Sequence, residues 1–229
     1  MMLNDLTSIL LVKYCLGCGR ILQKQEQVLC LGCRERLCET GFEQVPHNPL
    51  EQLLLHRCEV KAATSLFFFE KNKLAQLLIH KLKYEGQEQV GRWLGLWLGR
   101  RLAQSRQFEG VEMVVPVPLH PKKLHKRGYN QVTKLGKAIA ETMGVVFDDS
   151  LLVKKTASAT QTRKFVWKRY DENDHIFAIQ NPQKLATKHI LLVDDVITTG
   201  STIERCYQAL MDAEDVKVSV ASIACAIIS

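Results

Sequence analysis

The residues best suited to do chemistry lie together near the C-terminus, in the run Ile190-Leu-Leu-Val-Asp194-Asp195-Val-Ile-Thr198-Thr199-Gly200-Ser201-Thr202. A short apolar run reads as a buried parallel strand. Two carboxylates follow it, and a small-residue turn then leads into a helix. Backbone N–H groups of Thr198 to Thr202 can wrap a phosphate, the hydroxyls add donors, and the helix N-terminus adds favourable partial charge. Asp194 and Asp195 would repel a phosphate, so they suit the neutral part of a ligand. Two sugar hydroxyls can donate to two carboxylates, and a Mg²⁺ can bridge the sugar and its diphosphate. The turn is not a Walker loop, because the GxxxxGK[ST] pattern is missing. The plainer alternative is an ordinary helix cap with two incidental acids.

A second constellation stands at the other end of the chain. Cys15-Leu-Gly-Cys18 and Cys30-Leu-Gly-Cys33 are two matched CxxC pairs, eleven residues apart. Each bends the backbone so that both thiolates face one cation, and two such turns give the tetrahedral S4 set that suits a closed, structural Zn²⁺ site. A redox CxxC would normally occur once, within a βαβ unit. Cys38 reads as a spare thiol or an alternative ligand, and Cys58, Cys206 and Cys225 as small buried residues.

These residues need a scaffold. The chain has 229 residues and is 46% hydrophobic, enough for one sizeable core and a small extra module. Pro46, Asn48 and Pro49 punctuate the chain, giving a zinc-binding module over 1–45 and a main domain over 46–229. Strands are predicted at Thr64–Phe69, Met113–Val117, Leu151–Val153, Ile176–Ile179, Ile190–Val193 and Val216–Ile228. Helices are predicted at Leu74–Lys83, Glu88–Leu102, Gln131–Met143 and Ile203–Met211, with a basic loop at Lys122–Gly128. Gly91, Gly95 and Gly99 recur every fourth residue, which in a soluble helix marks close packing. Strands alternating with helices mean an α/β fold with a largely parallel sheet flanked by helices.

Charge points to polyanions. The net charge is +7, which favours nucleic acid, diphosphates or an anionic membrane surface without choosing among them. No acidic residue lies between Glu112 and Glu141 or between Asp149 and Asp171. Lys122, Lys123, Lys126, Arg163, Lys164 and Arg169 fall in these windows and are candidates for binding single-stranded DNA. Solvated surface lysines are the bland alternative. No stretch reaches the roughly 18 apolar residues of a spanning helix, and the run Ile9–Val12 is too short for a signal peptide. No membrane insertion is expected, and the cytosol, where thiols stay reduced, is the expected compartment.

The run Ile190–Thr202 resembles the phosphoribosyl diphosphate (PRPP) motif of type I phosphoribosyltransferases. With the CxxC pairs, the chain resembles the ComF (ComFC, GntX-like) competence family. Lys81-Leu-Lys83-Tyr84-Glu-Gly86 agrees, as does Val115-Pro-Val-Pro118-Leu119 leading into Arg127-Gly128-Tyr129-Asn130-Gln131, and so do Thr160-Gln161, Arg169, Asn173 and Phe177. The resemblance implies a phosphoribosyltransferase-like fold. Asp194 and Asp195 would hold ribose hydroxyls, and Thr198, Thr199, Gly200, Ser201 and Thr202 the 5′-phosphate. Arg127 and Gly128 would stand at the diphosphate, and residues 156–173 in place of a flexible hood. It further implies a role in natural transformation with PRPP, single-stranded DNA and competence-machinery proteins as partners. An active transferase of unknown acceptor and a PRPP sensor without turnover are the alternatives, since fold alone does not decide function. The third segment sits about one residue off the family pattern, which leaves the roles of Arg163, Lys164 and Arg169 open.

Overall fold

The computed structural model describes residues 12–69, 74–84, 87–155 and 176–226. Among these, β1 (Ala62–Phe68), β2 (Met113–Pro116), β3 (Val146–Phe147), β6 (His189–Ile197) and β7 (Lys217–Cys225) form one sheet in the order β1-β7-β6-β2-β3. Every pairing in it is parallel. β4 (Leu152–Lys154) and β5 (Phe177–Ile179), both predicted as strands, form a separate antiparallel ribbon. The intervening candidates Arg163, Lys164 and Arg169, with the proposed hood, lie outside the described residues.

The helices are α1 (Leu31–Arg34), α2 (Pro49–Leu55), α3 (Leu74–Tyr84), α4 (Glu88–Ala103), α5 (Pro121–Arg127), α6 (Gln131–Met143) and α7 (Ser201–Leu210). They cover both sheet faces, and each face buries its own core. On one, Leu191 and Val193 of β6 meet Leu78 and Leu82 of α3, Leu94 and Leu98 of α4, and Leu135 and Ile139 of α6. On the other, Ile190 and Leu192 meet Leu50 and Leu54 of α2 and Ile203, Cys206 and Leu210 of α7. The continuous apolar character of β6 follows from burial on both sides.

Close approach of α4 to α6 depends on the glycine stripe. A Cβ on Gly95 would stand 2.5 Å from the Leu135 carbonyl oxygen and 2.7 Å from Ala138 Cβ, and one on Gly99 would stand 2.8 Å from Thr142 Cβ. The four-residue glycine period is therefore a helix–helix packing device in this chain, as its spacing suggests.

Three sequence expectations change. Lys122–Gly128 is not a loop, because residues 121–127 form α5. His120 Nδ1 accepts from the Lys122 N–H, Pro121 fills the first turn, and Gly128 closes the helix in the left-handed region with φ 77°, a combination that favours a short helix. Pro49 opens α2 rather than simply breaking the chain, because Asn48 Oδ1 caps it by accepting from Leu50 and Glu51 N–H. Third, β6 does not stop at Val193 but continues through both aspartates to Ile197, since β7 carries on beside it.

The ends of the central strands share one irregularity. Asp195 shares a face with Val193, as alternation requires, yet Val196 also packs on that core while Ile197 packs on the opposite one. The same slip occurs at Leu66–Phe67 in β1 and Ile223–Ala224 in β7, and the register Ser65↔Ser222↔Asp194 puts all three slips in one row. A shared fault of this kind re-aims the strand ends, as β-bulges do.

Candidate functional site

The site is built where β6 leaves the sheet. Its turn Thr198–Ser201 runs directly into α7, and Gly200 adopts φ 77°, a conformation that glycine takes without steric cost. Asp194, Ile197, Thr198, Thr199, Gly200, Ser201 and Thr202 line one small concavity. Thr198 and Thr199 are exposed at its rim. Thr199 Oγ1 lies 3.2 Å from Ser201 Oγ and accepts from the Ser201 N–H at 3.5 Å. The cradle rests on α2, because a Cβ on Gly200 would stand 2.8 Å from Leu54 Cδ2 and 3.4 Å from Arg57 Cδ. Arg57 is tied to Glu204 of α7 at 2.7 Å. Sequence reasoning missed this Arg57–Glu204 pair behind the turn, because the segment after α2 meets α7 only in the fold.

The two aspartates part company on β6. Asp194 is half-buried and lines the small concavity of the turn. Burial, then the charge of Asp195, pushes its carboxyl up to about 7. Asp195 is only 5% exposed and faces the opposite side. Its Oδ1 pairs with Lys83 Nζ at 2.9 Å, and its Oδ2 accepts from Gln131 Nε2 at 2.6 Å.

Beyond Asp195 opens a cleft of about 350 Å³ lined by Lys83, Tyr84, Lys123, Lys126, Arg127 and Tyr129. Among the described residues four cations and no carboxylate line it, which favours a multiply charged anion. Among the described residues neither Lys123 nor Lys126 has an acid within ion-pair distance. The Arg127 guanidinium stands 5.0 Å over the Tyr84 ring and donates to Gln131 Oε1 at 2.9 Å. Tyr129 donates to the Leu82 carbonyl at 2.5 Å, and Asn130 caps α6 while donating to the Val117 carbonyl at 3.1 Å. The run Arg127–Gln131 thus welds the cleft wall to α3, to β2 and to Asp195. Lys122, also on α5, does not line the cleft. Gly128 ends α5 beside it and carries no side chain to contribute. Lys83, Tyr84, Tyr129 and Gln131 stand in segments singled out in the sequence, yet nothing there assigns them contacts.

The four cysteines converge. The Sγ atoms of Cys15, Cys18, Cys30 and Cys33 all lie within 4.8 Å of one another. Cys18 and Cys30 Sγ are 3.7 Å apart, matching the edge of about 3.8 Å that Zn–S bonds of about 2.3 Å give a tetrahedron. Backbone N–H groups of Gly17 and Cys30 donate to Cys15 Sγ, and Arg36 donates to Cys33 Sγ at 3.1 Å. These donors favour thiolates. A Cβ on Gly17 would stand 2.9 Å from Cys33 Sγ, so the first knuckle needs glycine there. The cluster fits a zinc module. Cys38 is exposed and outside it, and Cys58, Cys206 and Cys225 are buried. The module shares its core with the main domain: Cys15, Val28, Leu29 and Leu37 belong to the same apolar cluster as α3 and α4.

Known proteins resemble this arrangement. Residues 134–228 match the family described as the Phosphoribosyl transferase domain. The DNA utilization protein YhgH of Salmonella typhimurium is 29% identical over 138 residues, which are 59% of this chain and 60% of that protein. This match therefore spans less than two thirds of that relative's length. Competence protein F of Haemophilus influenzae is 24% identical over 217 residues, covering 89% of this chain and 94% of that protein. Competence protein ComFC of Streptococcus pneumoniae is 25% identical over 225 residues, covering 89% and 96%. Among the described residues no helix is long and apolar enough to cross a membrane.

Proposed function

We propose that this chain, a homologue of Competence protein F and ComFC with a phosphoribosyltransferase fold and an N-terminal four-cysteine module, binds PRPP across the end of β6 and serves the uptake and use of DNA in the cytosol. The observation that carries this reading is the pair of subsites on either side of one strand end. A cradle of main-chain donors and hydroxyls, Thr198–Thr202, sits on the Asp194 side, and a cationic cleft sits on the Asp195 side. PRPP has the matching order of parts: a 5′-phosphate, a neutral ribose and a diphosphate.

In this reading the 5′-phosphate takes the N–H groups of the turn. Asp194 accepts from ribose hydroxyls, and Arg127, Lys123 and Lys126 face the diphosphate. Mg²⁺ would be held by Asp194 together with the ligand's own oxygens and would neutralise part of the diphosphate charge. The four thiolates would hold Zn²⁺ as a structural ion, which joins the module to α3 and α4 without an open coordination position.

The names of the relatives motivate the DNA role, and the exposed basic face of α5 supports it. Lys122 and Lys123 present charge to solvent there without an acidic neighbour on that helix. Single-stranded DNA is the proposed macromolecular partner, with competence-machinery proteins acting alongside. Turnover with an acceptor nucleophile is the second use of the same site, tested by following diphosphate release across candidate bases and amines. Binding itself is tested by calorimetry with PRPP and Mg²⁺. Saturable heat that vanishes on addition of chelator is expected, and no heat at millimolar PRPP removes the reading.

A further inference from the structure

Lys83 stands at the boundary of the two subsites. Its side chain forms part of the cleft wall with Lys123, Lys126 and Arg127, while its ammonium sits 2.9 Å from Asp195 Oδ1. The other carboxylate oxygen of Asp195 is taken by Gln131, and the residue is 5% exposed. A sugar hydroxyl approaching from the cleft therefore meets Lys83 before it meets Asp195. Removing that ammonium with nothing to replace it would be costly for the lysine, which would lose its counter-charge. A ligand with an anionic arm in the cleft supplies a replacement counter-charge within reach of the same flexible stem.

We propose that Lys83 is the specificity-determining residue that reserves Asp195 for ligands carrying a diphosphate: it covers Asp195 in the ligand-free chain and turns to the diphosphate arm when PRPP enters. The assignment rests on the PRPP-binding reading above. Ribose 5-phosphate offers the same 5′-phosphate and a ribose but gives Lys83 no anion to turn to, so the carboxylate stays covered. Gln131 serves as a positioning residue here. It holds Oδ2 of Asp195 fixed and ties it to Arg127 through the 2.9 Å hydrogen bond at its other end, so the covered acid keeps its place when the lysine moves.

The test uses the full chain and measures the affinity of PRPP and of ribose 5-phosphate, both with Mg²⁺, for the unaltered protein, Lys83→Met and Lys83→Arg. Lys83→Arg keeps a counter-charge at Asp195 and so protects against loss of folding. Circular dichroism melts accompany both variants. The unaltered chain is expected to prefer PRPP. Lys83→Met is expected to lose about tenfold or more in PRPP affinity, the scale of one charge-assisted hydrogen bond, while ribose 5-phosphate binding is unchanged or tighter. Lys83→Arg is expected to keep most of the preference. Equal weakening of both ligands in Lys83→Met would mean that the lysine only supports Asp195, and unchanged binding of both would mean that it does neither; each overturns the assignment. An unaltered chain that binds ribose 5-phosphate as tightly as PRPP also overturns it, with the phosphate cradle intact. A chain that binds neither sinks the proposed function itself.

Discussion

Asp194 and Asp195, adjacent in sequence, present their carboxylates to opposite faces of β6, one to the concavity of the Thr198–Thr202 turn and the other to Lys83 and Gln131. One strand end therefore borders both the turn concavity and the cationic cleft, and its two acids have different chemical environments.

The difference gives a pH signature. The folded Asp194 carboxyl titrates near 7, above its ordinary value. The folded state then holds a proton that the unfolded chain releases above about pH 4, so stability falls as pH rises from about 4 to about 7 and is level beyond. Asp194→Asn removes this penalty. Its melting temperature is expected to exceed that of the unaltered chain by a few degrees at pH 8 and to match it near pH 4. A gain independent of pH would assign the shift to another cause.

Metal content tests the cysteine module. About one equivalent of zinc is expected per chain, bound through four thiolates. Because the module shares its core with α3 and α4, chelation is expected to lower the melting temperature of the entire protein rather than of a detached fragment. Gly17→Ala, whose Cβ would press on Cys33 Sγ, is expected to weaken zinc binding about 10-fold or more, the effect typical of disturbing a ligand's support. Metal-free protein with an unchanged melt would refute the assignment.

The α4–α6 interface leaves no room for a side chain at Gly95 of α4. Gly95→Ala places a Cβ 2.5 Å from a carbonyl oxygen. A loss of about 1–3 kcal/mol or more is expected from forced separation of the helices, read by urea denaturation. Gly110→Ala does not serve as a control, because its positive φ adds strain of its own. Gly32→Ala, which meets nothing within 4 Å, is the suitable comparison and should cost much less.

At the cradle, Gly200→Ala combines a left-handed backbone with a clash against Leu54. Backbone strain of about 1–2 kcal/mol is expected. PRPP affinity should fall about tenfold or more, since displaced N–H donors lose alignment with a phosphate. Retained affinity in a folded variant would move the 5′-phosphate elsewhere.

The basic face of α5 should reveal DNA binding through salt. Reversing Lys122, Lys123 and Lys126 to glutamate is expected to weaken binding to a single-stranded oligonucleotide. It should also flatten the salt dependence, by about 0.7 in slope for each phosphate that a lysine no longer neutralises. If anisotropy titrations give the same affinity and slope, DNA binds elsewhere on the chain.

The residue order alone was enough to single out the four cysteines that converge, the aspartate pair at the end of a central strand, the turn that follows it and a parallel α/β scaffold. Those features are local: a CxxC knuckle or a strand–turn–helix phosphate cradle is written within a dozen consecutive residues, and burial on both faces leaves an apolar run where a central strand must pass. The same local signals misplaced α5, because a short helix depends on its cap and on a left-handed glycine more than on periodicity. They also ended β6 too early, because charged residues persist in a strand only when distant groups satisfy them.

Tertiary structure alone decided which groups meet. Lys83 is 112 positions from Asp195 in the numbering of the chain, and only the packing of α3 on the sheet puts its ammonium on that carboxylate. Arg57 packs behind Gly200 of the Thr198–Thr202 turn for the same kind of reason. Pairing across such separations comes from the burial of whole helix faces, to which no single charged side chain adds a readable pattern. The residue types set what each group could bind, and the packed sheet set which of them could bind it together.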